Sequence, residues 1–251
     1  MCRMGFVSSK KNIELTSYVR KVTSWYGQTQ RDGMGYAYPV YGDILYSKTP
    51  FAAPLYWGTH PTIRRIWTKS LIWHTRIASN GAVIYRNTHP FVAENVALSH
   101  NGVLKNFEKT KKELSKDYTF QSDTDSEVIL ASYLKYGLNF LEHLKDAGIT
   151  GTLTVMILTP ENILLYTNTS SMVLYSDGDT IYGTSDTSYF GKENAIRILD
   201  NTLYSIKNAS ITNLKEVKIP RYAAVVNDIS TIDVNHSTWI SRYLEEYRVR
   251  D

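Results

Sequence analysis

The chain has 251 residues, of which 43% are hydrophobic and 21% charged, so its composition is that of an ordinary globular protein with a sizeable core. The net charge of +4 is small, and the lysines near position 110 stand among acidic residues, which argues against a nucleic-acid-binding surface. No apolar run approaches the ~18 residues of a membrane span, and no export leader is recognisable. We therefore expect a cytoplasmic protein without a membrane partner.

The cysteine content is informative because the chain has one cysteine, and that residue directly follows the initiator methionine. A single cysteine excludes an internal disulfide framework and a multi-cysteine metal site. His74, His89 and His100 lack the spacing of a metal-binding helix, so we interpret them as structural. We predict neither a metal nor another cofactor.

In the first half of the chain, apolar alternation and helical repeats predict a mixture of strands and helices. The predicted strands are Cys2 to Val7, Leu71 to Arg76 and Val96 to His100, with a hairpin over Gly35 to Tyr46. The predicted helices are Asn12 to Gln28 and Ser122 to Gly137. Thr124 and Glu127 have the spacing of a capping box at the start of the second helix. A proline-rich stretch predicts a loop over Phe51 to Pro61.

The second half of the chain is rich in predicted strands separated by turn residues. Four of them form a predicted antiparallel meander: Thr152 to Leu158, Ile163 to Thr167, Met172 to Tyr175 and Thr180 to Gly183. Asn194 to Asn201 is predicted as a short helix, and Tyr222 to Val226 and Ser230 to Val234 as closing strands. Clusters of strands without strict βαβ alternation predict packed sheets covered by helices, within one domain.

A cysteine at position 2 has a specific chemistry available to it. Removal of Met1 before a small residue leaves Cys2 with both a thiol and a free α-amine. The amine has an unperturbed pKa of ~8, so its neutral form can take the thiol proton near neutral pH without a separate histidine. A lone cysteine near a terminus is more often structural, and the segments downstream decide between the two interpretations.

Six segments occur in one order along the chain. They are Met1-Cys2-Arg3-Met4-Gly5-Phe6, Arg31-Asp32-Gly33-Met34-Gly35, His74-Thr75-Arg76-Ile77-Ala78-Ser79-Asn80-Gly81, Asn87-Thr88-His89-Pro90-Phe91, His100-Asn101-Gly102-Val103 and Asp123-Thr124-Asp125-Ser126-Glu127. Together they resemble the class II glutamine amidotransferases, which belong to the N-terminal nucleophile hydrolases. The second and fourth segments are similar to the compact, single-domain branch of that family. The resemblance spans Met1 to about Gly137, with a weaker echo at Gly183-Thr184-Ser185-Asp186.

The resemblance implies an α+β fold, a four-layer αββα sandwich of two mostly antiparallel sheets flanked by helices. It also implies that residues 1–251 form a single domain, in which the part after about residue 137 completes the sheets. No linker, repeat or low-complexity segment interrupts this organisation.

The resemblance further assigns roles to residues downstream of Cys2. Arg76 matches the arginine that binds the substrate α-carboxylate, a task suited to the planar guanidinium fork. Asp125 matches the residue that binds the substrate ammonium, although Asp123 and Glu127 would stabilise a helix start equally well. Asn101 and Gly102 match the two donors of an oxyanion hole.

Asn-Gly between apolar runs is also a common hairpin turn, so the Asn101-Gly102 pair has a purely structural alternative. We expect the strand to end at His100, and Val103 to Phe107 to lead into a helix-like polar stretch. Ser79 and Asn80 are predicted to bind substrate from a mobile loop, although many relatives carry other residues at these two positions. The Asp32-Gly33 turn is predicted to shape the pocket near Cys2.

These assignments predict a glutaminase that hydrolyses the side-chain amide of glutamine through a Cys2 γ-glutamyl thioester. The released ammonia would then pass to a separate synthase subunit. Two alternatives remain open from the sequence. One is a stand-alone hydrolase of a larger γ-glutamyl compound, and the other is a non-catalytic binding or regulatory protein with the same fold. The oligomeric state is not indicated by the sequence.

Overall fold

The computed structural model describes residues 2–60, 65–78 and 81–221. Within these ranges the chain forms thirteen strands and five α-helices. The predicted closing strands Tyr222 to Val226 and Ser230 to Val234 lie outside the described residues. No helix within the described ranges reaches the length and apolarity that crossing a membrane demands.

The first sheet has seven strands, and its paired neighbours are antiparallel. In spatial order they are β11 (Ile196–Arg197), β9 (Val173–Ser176), β10 (Thr180–Thr184), β1 (Arg3–Glu14), β4 (Trp67–Thr75), β2 (Met34–Val40) and β3 (Asp43–Thr49). The first strand of the chain is therefore internal, with β10 and β4 on its two sides. The residues that follow Cys2 therefore pair with a neighbouring strand on each side.

The second sheet has six strands, again with antiparallel neighbours. Their order is β13 (Ser210–Glu216), β12 (Thr202–Lys207), β8 (Ile163–Thr167), β7 (Thr150–Leu158), β6 (Val96–Lys105) and β5 (Phe91–Ala93). The chain changes sheet after β8, because β9 and β10 pair in the first sheet. The four predicted strands of the second half are confirmed, but they are shared between two sheets and do not form one meander.

Three clusters of buried side chains show how the layers pack. Met4, Phe6 and Ile72 of the first sheet meet Met156 and Leu165 of the second, so this cluster fills the space between the sheets. A second cluster joins the first sheet to the helices α1 (Thr16–Gly27) and α2 (Ala53–Thr59). A third joins the second sheet to the helices α3 (Glu108–Leu114), α4 (Glu127–Tyr136) and α5 (Phe140–Asp146).

Two sheets between two helical layers make a four-layer αββα sandwich. The predicted fold class is thereby confirmed. In the first predicted helix, Leu15, Val19 and Val22 are buried against the first sheet.

Two predicted elements are wrong for reasons of local chemistry. The stretch from Phe51 to Pro61, predicted as a loop, contains α2, because Pro54 lies in the first turn, where a missing N–H costs nothing. The stretch from Asn194 to Asn201, predicted as a helix, contains only the short β11. Asn194 and Asn201 both have positive φ angles, near 58° and 60°, which a helix does not permit.

The second predicted helix starts later than expected. It begins at Glu127, and the segment from Ser122 to Ser126 is a turn. The predicted capping box is absent, because the Glu127 carboxylate accepts hydrogen bonds from the Ser122 backbone at 2.7 Å and the Tyr118 hydroxyl at 2.9 Å. This carboxylate stabilises the turn that precedes the helix, and that turn carries Asp125.

Candidate active site

Cys2 immediately precedes β1, the strand held between β10 and β4. Its thiol sulfur lies 3.3 Å from the Ile77 carbonyl oxygen, and the Ile77 N–H donates to the sulfur at 3.4 Å. Burial raises the pKa of the Cys2 thiol above its ordinary value, while the Ile77 backbone and the charge of Arg76 act in the opposite direction. Burial is the stronger effect, so the thiol needs a base to become a nucleophile.

Arg76 follows the last residue of β4 and is 4% exposed. Its guanidinium donates to the carbonyl oxygens of Ala82 at 3.1 Å and Gly81 at 3.3 Å. The Asp32-Gly33 turn holds the Arg76 backbone through two hydrogen bonds, 2.9 Å and 2.7 Å long. Burial lowers the pKa of Arg76, but a guanidinium starts so far above neutrality that it stays charged.

Asn101 lies within β6 and not after it, because the strand continues to Lys105 and keeps its ladder with β7. The predicted end of this strand at His100 is therefore wrong. The Asn101 Oδ1 is 3.0 Å from His74 Nε2, and the Nδ2 donates to the Cys2 carbonyl oxygen at 3.0 Å. The amide nitrogen thus faces the residue that carries the thiol.

Gly102 has no room for a side chain. Its φ is +146°, and a Cβ atom would lie 1.8 Å from the Thr152 carbonyl oxygen. Gly102 is paired with Leu153, whose own N–H and C=O both bond to Asn168 on the other side. By this register the Gly102 N–H is directed away from β7, toward the edge of β6 that β5 covers only near its start.

Asp125 lies in the turn before α4, not in its first helical turn as predicted, and is 6% exposed. One carboxylate oxygen, Oδ2, accepts the Leu104 N–H at 2.6 Å. Asp123, from the same motif, is exposed and forms an ion pair with Arg86 at 2.8 Å. The turn therefore separates the two aspartates, one directed inward and one outward.

One small cavity is lined by Cys2, Arg76, Gly102 and Asp125 together, and Asn101 lines a larger cavity to which Cys2 also belongs. The structure thus brings together five of the residues singled out in the sequence. Ser79 and Asn80 lie outside the described residues.

The three histidines of the motifs are fully or almost fully buried near this cavity. The tilted rings of His74 and His89 are in contact with centroids 4.4 Å apart, and His100 Nδ1 lies 2.9 Å from the Ser126 hydroxyl. Burial lowers the pKa of His74 to about 3 and also lowers those of His89 and His100, so all three are neutral at physiological pH. Among the described residues, no group of three or more acidic, histidine or cysteine side chains has the arrangement of a metal site.

The sequence did not indicate the hydrogen bonds of Asn87 and Ser185 near the site, although both residues stand in segments that resemble the family. Asn87 donates to the Ala82 carbonyl oxygen at 3.2 Å and accepts the Asp123 N–H at 3.1 Å. It therefore joins the loop around Arg76 to the turn around Asp125. The Ser185 hydroxyl accepts the Met4 N–H at 3.0 Å and lies 3.5 Å from Asn101 Nδ2.

Comparison of sequences agrees with this geometry over the middle of the chain. A family profile described as a glutamine amidotransferase domain matches residues 61–151. A glutamine–fructose-6-phosphate aminotransferase from Bartonella henselae is 44% identical over 80 residues, which are 30% of this chain and 13% of that one. The one from Halobacterium salinarum is 28% identical over 174 residues, 64% of this chain and 28% of that one. The chain therefore spans less than a third of the length of these relatives.

Solved structures extend the similarity to most of the fold. The glutamine phosphoribosylpyrophosphate amidotransferase of B. subtilis superposes with a TM-score of 0.68 at 18% identity, over 87% of this chain and 50% of that one. A glutamine aminotransferase class-II domain protein from Silicibacter pomeroyi has a TM-score of 0.60 at 16% identity, over 86% of this chain and 100% of that one.

The αββα sandwich with Cys2 at the start of an internal strand has the fold of the N-terminal nucleophile hydrolases. The matching family profile shows a glutamine amidotransferase domain over residues 61–151, and the ordered motifs are similar to those of the class II glutamine amidotransferases. The resemblance found in the sequence is confirmed.

Proposed function

We propose that the chain is a glutamine amidohydrolase, which hydrolyses the side-chain amide through a γ-glutamyl thioester on Cys2. The observation that carries the proposal is the cavity lined by Cys2, Arg76, Gly102 and Asp125. Glutamine presents a carboxylate and an ammonium at one end and an amide at the other. The cavity has a buried guanidinium and a buried carboxylate for the first end and a thiol for the second.

In the proposed reaction, removal of Met1 leaves Cys2 with a free α-amine beside its thiol. The amine, with an unperturbed pKa of ~8, takes the thiol proton and acts as the general base. The burial that raises the pKa of the thiol supports the need for such a base. The thiolate then attacks the γ-carbonyl carbon of the bound glutamine.

The negative charge that develops on the carbonyl oxygen requires hydrogen-bond donors. Asn101 Nδ2 and the Gly102 N–H are the proposed pair, and one such donor contributes roughly 3 kcal/mol to transition-state stabilisation. The carbon–nitrogen bond then breaks, and ammonia leaves with the proton held by the α-amine. Water hydrolyses the thioester, releasing glutamate and restoring the thiol.

Arg76 and Asp125 are proposed to hold the α-carboxylate and the α-ammonium, and Ser79 and Asn80 remain predicted substrate contacts. The Arg76 guanidinium is supported by a backbone that the Asp32-Gly33 turn restrains. Asp125 Oδ2 is bonded to the Leu104 N–H at 2.6 Å, whereas Oδ1 has only a long contact of 3.5 Å with the Ser126 hydroxyl, so Oδ1 is the oxygen proposed to accept the ligand ammonium.

We also propose that residues 1–251 form one glutaminase domain and that the ammonia passes to a separate synthase in the cytoplasm. From β7 onward, the described strands complete both sheets, which supports the use of this part of the chain as scaffold. The fructose-6-phosphate aminotransferases to which the chain is similar are several times longer than the matched segments.

The decisive experiment is a glutaminase assay on the purified chain and two variants. Cys2→Ala should lose ammonia release while still binding glutamine in calorimetry, because Arg76 and Asp125 are intact. A second form, with an uncleavable extension before Cys2, keeps the thiol but has no free α-amine. It should also be inactive, because the proposed general base is lost. Mass spectrometry of the wild type should show Met1 removed and a γ-glutamyl adduct on Cys2 at short times. Undiminished turnover in Cys2→Ala would contradict the proposal.

A further inference from the structure

A second and larger cavity also opens on Cys2, and neither Arg76 nor Asp125 lines it. Its volume is about 500 Å³, against about 50 Å³ for the cavity that contains those two charged residues. The two cavities share Cys2, Ile77, Gly102 and Val103 as lining residues. Cys2 therefore stands at the junction of a small charged cavity and a large one.

The larger cavity is neutral and rich in hydroxyl groups. None of its lining side chains carries a formal charge, and five of them are Ser or Thr: Thr152, Thr154, Thr169, Ser171 and Ser185. Thr154 Oγ1 lies 2.6 Å from the Ser171 hydroxyl and 3.1 Å from that of Thr169. These hydroxyls bond to one another, and those of the partly buried Thr169 and Ser171 can in addition donate to or accept from an uncharged polar group in the cavity.

The size of this cavity exceeds what ammonia requires. Ammonia has one non-hydrogen atom, whereas cavities of about 300–1,000 Å³ typically hold a small organic molecule. A glutamyl group in contact with Arg76 and Asp125, with its carbonyl carbon at Sγ, would occupy the small cavity. A substituent on its amide nitrogen would then have room in the larger cavity, which shares Cys2 with the small one.

We propose that the chain hydrolyses γ-glutamyl amides that carry an uncharged, hydrogen-bonding substituent on the amide nitrogen. The substituent binds in the cavity lined by Thr154, Thr169 and Ser171, and glutamine is the smallest member of this substrate class. The inference rests on the proposed amidohydrolase function, since it uses the same thiol and the same contacts to the glutamyl end.

The reaction balances without any further reagent. The bond between Cys2 Sγ and the γ-carbonyl carbon of the substrate forms, the bond from that carbon to the substituted nitrogen breaks, and the amine leaves with the proton held by the Cys2 α-amine. Water then cleaves the thioester to glutamate. Nothing is oxidised or reduced, and the products are glutamate and a primary amine in place of ammonia.

The test compares kcat/KM of the purified chain for three substrates: L-glutamine, γ-glutamylglycinamide and γ-glutamylglycine. We expect the neutral glycinamide to exceed glutamine by about tenfold or more, and to exceed the glycine compound, whose carboxylate has no cation in the cavity, by a similar factor. Glutamine hydrolysis without measurable hydrolysis of the glycinamide overturns this inference and leaves the glutaminase proposal standing. Failure to hydrolyse any of the three overturns both.

Two variants locate the substituent. Ser171→Leu fills part of the cavity, and Thr169→Val removes a hydroxyl at nearly constant volume. Each should lower the ratio of glycinamide to glutamine kcat/KM by about tenfold. The matched control is Ser70→Leu, the same change at a partly buried serine that lines a different cavity, and it should leave the ratio unchanged. An unchanged ratio in both cavity variants contradicts the proposed binding position.

Discussion

His74 and Asn101 are joined by a buried hydrogen bond of 3.0 Å between the imidazole Nε2 and the amide Oδ1. An amide oxygen only accepts, so the proton of the neutral imidazole is on Nε2. The bond fixes the amide so that its nitrogen faces the Cys2 carbonyl oxygen at 3.0 Å. His74 is therefore a positioning residue for the proposed oxyanion donor, which refines the interpretation of this histidine as merely structural.

Replacing His74 by Phe keeps the ring volume and removes the N–H that orients Asn101. We expect kcat for glutamine to fall about 10- to 100-fold with KM changed by less than about threefold, because a donor that rotates freely loses part of its effect on the transition state. Asn101→Ala should cost about 10²- to 10³-fold, and adding His74→Phe to it should cost little more. Additive losses in the double variant would show that the two residues act independently.

The buried histidines predict a specific dependence of stability on pH. Burial lowers the pKa of His74 to about 3 and lowers those of His89 and His100, whereas the unfolded chain has histidine pKa values of ~6.5. Below pH ~6.5 the unfolded chain therefore binds protons that the folded chain excludes, and the free energy of unfolding falls as pH decreases toward 3.

Each such histidine contributes a slope of up to about 1.4 kcal/mol per pH unit in that range. Urea unfolding at pH 7.5, 6 and 5 should show a midpoint urea concentration that falls as the pH is lowered. The His89→Phe variant should reduce the slope by about a third, since one of three groups is removed. An equal midpoint at pH 7.5 and pH 5 would contradict the neutral state of these side chains.

The site contains a buried arginine, and a nearby exposed arginine provides its control. Arg76→Lys keeps the charge but removes the planar fork, so KM for glutamine should rise about tenfold or more, consistent with charge-assisted hydrogen bonds of about 1.5–3 kcal/mol. Arg86→Lys changes an exposed arginine that pairs with Asp123, and should alter KM by less than about twofold. Steady-state kinetics of both variants test the prediction, which fails when the two substitutions have equal effects.

Much of the site followed from the sequence because its charged residues stand in ordered segments next to strands. The end of the strand that contains Asn101 could not be predicted, because an Asn-Gly pair signals a turn locally. In the structure the ladder with β7 continues through Gly102, whose φ of +146° a glycine readily adopts. α2 was not predicted because Pro54 signals a loop locally, although a helix tolerates proline in its first turn.

The larger cavity could not be predicted from the sequence. Thr154 belongs to β7 of the second sheet, whereas Thr169 and Ser171 stand in the connection through which the chain changes sheet. Serine and threonine are ordinary in strands and connections, so no local pattern indicates that their hydroxyls meet beside Cys2. Their convergence depends on the crossing between sheets, which is a property of the whole topology.

The two aspartates of one motif offer a test of the ammonium contact. Asp125→Asn preserves an acceptor for the Leu104 N–H but loses the negative charge, so the preference for glutamine over 4-carbamoylbutanoate, which lacks the α-ammonium, should shrink about tenfold. Asp123→Asn changes the exposed partner of Arg86 and should leave this preference intact. Competition assays with both compounds measure it, and a preference retained in Asp125→Asn assigns the ammonium to another residue.

Replacing Gly102 would cause both backbone strain and a close contact, whereas replacing Gly42 would cause backbone strain alone. Gly102 and Gly42 both have positive φ, at +146° and +90°, but a Cβ at Gly102 would lie 1.8 Å from the Thr152 carbonyl oxygen, whereas nothing lies within 4 Å of one at Gly42. Gly42→Ala should therefore cost about 1–3 kcal/mol of unfolding free energy from conformational strain alone. Gly102→Ala should cost clearly more, because β6 and β7 must also separate at the proposed oxyanion donor. Urea denaturation of both variants measures the difference, and equal costs would mean that the contact with Thr152 relaxes freely.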